Sequence, residues 1–246
     1  FKIFSIFLKC RSSIEKSKIA QTVVMKKIAA SVLLFCLLFC SLTSAANFAA
    51  AQETGAQTKE IFITFDDGPT DSTTPKVLDV LQREKVPATF FVIGRQINGR
   101  EKTLRRIAAE GHAIGIHSYS HQYKEIYQSA DALLADIEKC RKAIRNVLPQ
   151  YDRMLYRFPG GSFLCPHLRD AVVNAGYRYF DWNASAGDAE GNFSAKTLYE
   201  NVVKTSEGKN PVVLLLHDGV GYRETIRALP DIVQHFKKDG YTFKTL

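Results

Sequence analysis

Cysteine is scarce in this chain. Of five in 246 residues, Cys10, Cys36 and Cys40 lie in the first 40, which leaves Cys140 and Cys165 for the rest. One bridge between those two is permitted in an oxidising compartment, but no disulfide framework is. No glycine-rich loop of the kind that cradles phosphates or dinucleotides follows any strand-like run, so nucleotide chemistry has no obvious seat. The Cys165-Pro166-His167 triplet lacks the two further ligands that a zinc ribbon needs. Nor is there a true excess of positive charge. The chain carries 33 Lys and Arg against 25 Asp and Glu, a formal +8, but seven of the bases and only one of the acids precede Asn47. The remaining 26 bases and 24 acids are nearly balanced. A polyanion surface loses its support, and no nucleic-acid partner is expected.

The early segment has its own logic. Phe1 opens the chain and the first methionine is Met25, so residues 1–24 read as upstream sequence from a misplaced start. Met25-Lys26-Lys27, the apolar run 28–40 and the small residues up to Ala46 match the three parts of a secretory signal. The run falls short of the ~20 residues that span a bilayer comfortably. Cleavage near Ala45 or Ala46 and a secreted or cell-envelope location are therefore expected, with an uncleaved N-terminal membrane anchor as the alternative. Residues 47–58, rich in Ala, Gln, Thr and Gly, read as a linker, and 59–246 as one domain with room for a substantial core.

Within that domain apolar runs of strand length alternate with amphipathic helices. Strands are expected at 61–65, 87–94, 112–117, 155–158, 177–182, 212–216 and 241–243. Helices are expected after Thr74-Pro75, then at 103–110, from Ser129 to before Pro149, at 166–175, near 195–204 and at 222–238. The order predicts parallel strands joined by crossover helices, an irregular seven-stranded (β/α) barrel, with an open doubly wound sheet as the structural alternative. Asp66, Asp67, His117, His121, Arg157, Asp181, Trp182 and His217 all fall at C-terminal strand ends. On a barrel those ends form one face, where catalytic residues collect.

The first strand ends abruptly in Asp66-Asp67-Gly68-Pro69, and the turn can aim both carboxylates into one cleft. His117 and His121, four residues apart, have the spacing at which two imidazoles on one helical turn reach a common metal, with a carboxylate as third ligand. Five stretches then resemble the polysaccharide deacetylases of the NodB-homology type, carbohydrate esterase family 4: Thr64-Phe65-Asp66-Asp67-Gly68-Pro69, His117-Ser118-Tyr119-Ser120-His121, Arg157-Phe158-Pro159-Gly160-Gly161, Asp181-Trp182 and Leu215-Leu216-His217-Asp218. They stand in the family's order and cover nearly all of 59–246. The fourth is reduced to its Asp-Trp core.

The resemblance implies roles. Asp67, His117 and His121 would bind a divalent metal, zinc by preference over cobalt, manganese or nickel, and the ion would lower the pKa of a bound water toward ~7. Asp66 would be the general base, with Arg157 orienting it and depressing its pKa. His217 would be the general acid, its pKa raised by Asp181. The N–H of Gly160 would help hold the oxyanion, and Trp182 and Leu215 would line a pocket for the acetyl methyl. Asp218 is read as a positioning residue, and His112 and His235 as non-catalytic. The expected activity is a secreted, metal-dependent hydrolysis of acetyl groups on N-acetylated sugars of a polysaccharide, cell-wall peptidoglycan by preference. Chitooligosaccharide, exopolysaccharide and xylan are the other substrates, and a monomer is expected. A non-catalytic glycan-binding protein on the same fold is one rival. A non-haem iron oxygenase is the other, since two His and a carboxylate also suit that metal on a jelly-roll.

Overall fold

A computed structural model describes residues 58–246. The expectations for residues 1–57, including the secretory signal and nearly all of the linker, lie outside the described residues. Among the described residues no helix is long and apolar enough to cross a membrane. The strands are β1 (Glu60–Asp66), β2 (Thr89–Ile93), β3 (Ala113–Ser118), β4 (Leu155–Tyr156), β5 (Arg178–Tyr179), β6 (Ala184–Ser185), β7 (Val212–His217) and β8 (Thr242–Phe243). The helices are α1 (Thr74–Glu84), α2 (Glu101–Ala109), α3 (Tyr123–Ile126), α4 (Ala130–Val147), α5 (Arg169–Asn174), α6 (Ala195–Ser206) and α7 (Arg223–Lys238).

All strand pairs are parallel, in the order β5-β4-β3-β2-β1-β7-β6. The closing strand β8 pairs with the N-terminal end of β1, through Glu60 and Ile61, while β2 pairs further along, from Thr64 to Asp66. Central strands covered on both faces read as continuous apolar runs, which is why Val212–Leu216 shows no alternation.

The sheet is forced to curl. Its two edges, β5 and β6, are neighbours in sequence: Tyr179 and Ala184 are five residues apart and at most about 18 Å apart along the chain. Laid flat, seven strands would separate them by about 29 Å. The same stretch in fact serves both edges. Phe180 N–H donates to Tyr156 O on one side, and Asn183 N–H donates to Val213 O on the other. Asp181 and Trp182 sit in the seam where the strand changes partners. The sequence reads one strand over 177–182, but the chain makes two short strands there, and β6 was not foreseen because two residues carry no periodicity. The result is a curled, nearly closed parallel barrel.

Register then sorts side chains between two cores. Thr64 pairs with Leu215 and Asp66 with His217, so these four share the inner face of the curl, as do Phe91 and Gly115 opposite Asp66. A small inner cluster of Phe91, Ala113 and Leu155, with Phe180 and Leu246 against it, fills the barrel below them. Gly115 makes room for it, since a Cβ there would stand 2.5 Å from the Phe91 ring. The main core lies outside, between sheet and helices. On α4 the buried stripe Leu133, Ile137, Cys140 and Ile144 recurs at helical spacing, and the Ser129 hydroxyl caps the helix by accepting from Ala132 N–H at 3.1 Å. Each such aliphatic side chain contributes about 1.5–3 kcal/mol by burial. Cys140 and Cys165 are both buried free thiols. The parallel α/β architecture overturns the jelly-roll that an oxygenase reading requires.

Candidate active site

Asp67 follows β1 in the left-handed region (φ 76°), and so does His121 (φ 55°). Such a conformation is costly for residues with a side chain and persists where the surroundings impose it. His117 and His121 are not on a helical turn, contrary to the spacing argument. His117 is the last residue but one of β3, where the register with β2 slips, so that Val92 faces Ile116 while Ile93 faces Ser118, and a bulge of this kind re-aims a side chain. His121 follows on a tight turn pinned from α4. The Asp136 carboxylate accepts from Ser118 Oγ at 2.6 Å, Tyr119 N at 2.7 Å and Ser120 N at 3.0 Å, and Ser118 Oγ in turn accepts from His121 N at 2.8 Å.

The three groups converge. Asp67 Oδ1 lies 3.3 Å from His121 Nε2 and 3.6 Å from His117 Nε2. Among the described residues this is the one cluster of three or more His, Cys, Asp or Glu groups close enough to share a metal ion. The donors fit a cation. Asp67 Oδ1 is buried with no hydrogen-bond partner, although two ring nitrogens face it. Burial pushes the His117 pKa down to about 3. Its neutral ring places Nδ1 2.9 Å from Arg157 O, where the N–H donates and turns the Nε2 lone pair toward Asp67.

Asp66 occupies the inner face beside this cluster. Its Oδ1 accepts from Arg157 Nη1 at 3.0 Å, and its Oδ2 lies 3.8 Å from His117 Nε2. Arg157 is wholly buried, and the same Nη1 donates to Thr64 Oγ1 at 2.6 Å. Nε reaches Phe180 O at 2.9 Å and Nη2 reaches Asp181 O at 3.2 Å, so one guanidinium orients the carboxylate and ties the seam. The expectation that Arg157 would depress the Asp66 pKa is only half right. Burial is the larger effect and raises it, and the Arg157 charge offsets part of that rise.

Across the register pair stands His217. The carboxylate beside it is Asp188, not Asp181. Asp188 Oδ1 is 2.8 Å from His217 Nδ1, and Oδ2 accepts from His217 N at 2.9 Å and from Thr225 Oγ1 at 2.8 Å. Burial alone would lower the His217 pKa, but the Asp188 hydrogen bond and the charges of Asp188, Asp66 and Asp67 raise it to about 9. Tyr222 stacks on the ring, centroids 5.2 Å apart. Asp181 instead turns away to Ser162, accepting from its N–H at 2.9 Å and from its hydroxyl. It therefore fixes the Gly160-Gly161 turn rather than the imidazole. Sequence reasoning missed Asp188 because the strand before it has two residues. The signal was an acid shortly past a strand end, as Asp67 is past the end of β1. Asp136 was also missed, though an acid on the inner face of α4, in line with Leu133 and Cys140, was visible in the spacing.

Asp218 acts as a staple. Its N–H donates to Asp66 O at 3.0 Å and its Oδ2 accepts from Thr74 Oγ1 at 2.6 Å, which joins the ends of β1 and β7 to α1. His112 is buried, and its Nδ1 accepts from Ala88 N–H at 3.1 Å, a structural role. Gly160 (φ 73°) keeps its N–H free of hydrogen bonds among the described residues, whereas Gly161 N–H donates to Phe158 O at 2.8 Å. Trp182 is half-buried, edge-on to Phe163 at 5.9 Å and 5.9 Å from the Arg157 guanidinium. Leu215 is buried between Thr64 and Ser185, on the same face as His217.

A parallel curled sheet that brings an arginine-held aspartate, an aspartate-held histidine and an Asp-His-His cluster to its C-terminal rim has the parts of a hydrolytic site of the α/β class. The sequence pattern of the family described as polysaccharide deacetylase matches residues 53–180. A peptidoglycan-N-acetylglucosamine deacetylase of Bacillus cereus is 35% identical over 194 residues, which is 76% of this chain and 86% of that protein. A chitooligosaccharide deacetylase of Rhizobium leguminosarum is 30% identical over 79% of this chain and 93% of its own length. Among solved structures, a Streptococcus mutans CE4 esterase superposes with a TM-score of 0.73 at 32% identity, covering 77% of this chain and 87% of that one. The chain belongs to the polysaccharide deacetylase family, whose enzymes hydrolyse N-acetyl amide bonds of polysaccharides.

Proposed function

We propose that this protein is an exported, zinc-dependent N-deacetylase of cell-wall peptidoglycan that works as a monomer and releases acetate. The observation that carries the reading is the buried, unpartnered Asp67 Oδ1 facing two imidazole nitrogens, with the arginine-held Asp66 alongside it. Peptidoglycan is preferred because relatives from Bacillus cereus and Bacillus subtilis are named as deacetylases of its two sugars. The Met25 to Ala46 pattern supports export.

A divalent cation held by Asp67, His117 and His121 would polarise the acetyl carbonyl and acidify water. The chain's own groups do the rest. Asp66 accepts the proton of the attacking water through Oδ2, the oxygen that Arg157 leaves free. Gly160 N–H faces the oxygen on which charge develops. His217, kept protonated by Asp188, passes its Nε2 proton to the departing amine, so that the sugar leaves as a neutral amine. Leu215 and Trp182 exclude water around the acetyl methyl.

The test is acetate release from purified peptidoglycan and from chitooligosaccharide, with and without chelator, by wild type and Asp66→Asn. Chelator-sensitive release from peptidoglycan, lost in the variant, is expected. Release from chitooligosaccharide alone would move the substrate. Sugar binding without any release would support the non-catalytic rival.

A further inference from the structure

The loop that carries His121 continues into α3, and its first residue, Tyr123, has no assigned role. The Tyr123 ring packs edge-on against His121 at 5.3 Å and against Tyr127 at 5.8 Å. Tyr127 in turn donates its hydroxyl to Pro159 O at 2.7 Å, which anchors α3 to the Gly160-Gly161 turn. Tyr123 is 40% exposed, and its hydroxyl lies against the Gly160-Gly161 turn. A Cβ built at Gly160 would stand 2.6 Å from Leu164 Cδ1 and 3.1 Å from the Tyr123 oxygen, so the leucine fills the space that a side chain at 160 would take and the phenol lies close beside it.

Two donors thus meet over one small volume. The Gly160 N–H is uncommitted among the described residues, and so is the Tyr123 hydroxyl, unlike those of Tyr127, Tyr151 and Tyr241, which donate to carbonyls. An amide nitrogen lies about 2.5 Å from its own Cβ position, so the two donors are within about 5.5 Å of each other, close enough for both to reach one oxygen at ordinary hydrogen-bond length.

We propose that the Tyr123 hydroxyl is a catalytic group: it donates to the acetyl carbonyl oxygen together with Gly160 N–H as negative charge builds there. The inference rests on the deacetylase reading and adds a side-chain donor to it.

Tyr123→Phe removes only the oxygen and keeps the ring packing. Two measurements decide the matter on metal-loaded protein of verified metal content. In turnover, the variant is expected to lose about 10²-fold in kcat with KM little changed, as when one oxyanion donor is removed. In calorimetry with methylphosphonate, whose tetrahedral oxygens imitate the adduct, affinity should fall about tenfold or more, the loss expected for a hydrogen bond to a charged group. Unchanged kcat in an active wild type overturns the proposal, as does an effect confined to KM, or a loss of bound metal in the variant. Wild type that releases no acetate would instead sink the deacetylase reading, and the methylphosphonate comparison would still decide for or against Tyr123.

Discussion

Asp188 holds His217 twice: Oδ1 lies 2.8 Å from the ring Nδ1, and Oδ2 accepts the same residue's backbone N–H at 2.9 Å. The double contact fixes ring position and proton affinity together, and Thr225 secures the second oxygen. A general acid must carry its proton when the amine departs, so the alkaline limb of activity should follow the His217 pKa of about 9. Asp188→Asn leaves burial as the dominant influence, and burial disfavours the imidazolium. The limb is expected to move down by about 1–2 pH units in a kcat/KM profile. Asp181→Asn should leave the limb in place and lower kcat through the Ser162 turn. A shift in the second variant and none in the first would reverse the two assignments.

Arg157 is wholly buried with four acceptors, Thr64 Oγ1, Asp66 Oδ1, Phe180 O and Asp181 O. Removing one member of a buried pair leaves the other charge without compensation. Arg157→Met is expected to abolish activity and cost about 3–5 kcal/mol in denaturant unfolding. Adding Asp66→Asn should restore part of that stability and none of the activity. Lysine would not substitute, since a single ammonium cannot serve both carboxylate and seam.

Asp136 never touches the proposed cation, yet it accepts three hydrogen bonds from the turn that presents His121. Asp136→Ala should weaken metal binding by about 10- to 100-fold in a competition titration with a chromophoric chelator, with the thermal midpoint of the chelated protein moving far less than in Arg157→Met. Asp67→Asn, by contrast, should remove binding altogether.

Gly115 faces the Phe91 ring inside the barrel, and an added Cβ would stand 2.5 Å from it. Gly115→Ala is expected to destabilise by about 1–3 kcal/mol through overpacking, measured by urea unfolding. Phe91→Leu in the same chain should recover much of the loss. If the single variant is neutral, the inner core is looser than the contacts imply.

The two parts of this molecule were legible in the sequence to different degrees, for physical reasons. Strands β1, β2, β3 and β7 and helix α4 were visible because five or more residues of buried pattern leave a period. The residues at their ends, Asp66, Asp67, His117 and His217, were found with them. Where the barrel closes, two-residue strands leave no period, so one strand was expected where two occur and Asp188 was passed over for Asp181. The interval between His117 and His121 suggested a helix, whereas a bulge followed by a left-handed residue brings the rings together. The upward shift of Asp66 depends on burial, which only packing reveals.

The seam at Asp181 and Trp182 gives the barrel a single clasp. Elsewhere around the ring neighbouring strands are laced by backbone bonds, but here one guanidinium holds the chain between the two edges by gripping two of its carbonyls while its third nitrogen steadies Asp66. Girth and reactivity are therefore fastened by the same side chain. Any loosening that lets the ring breathe is expected to let Asp66 drift from its post as well, so activity should fall silent before the fold comes apart.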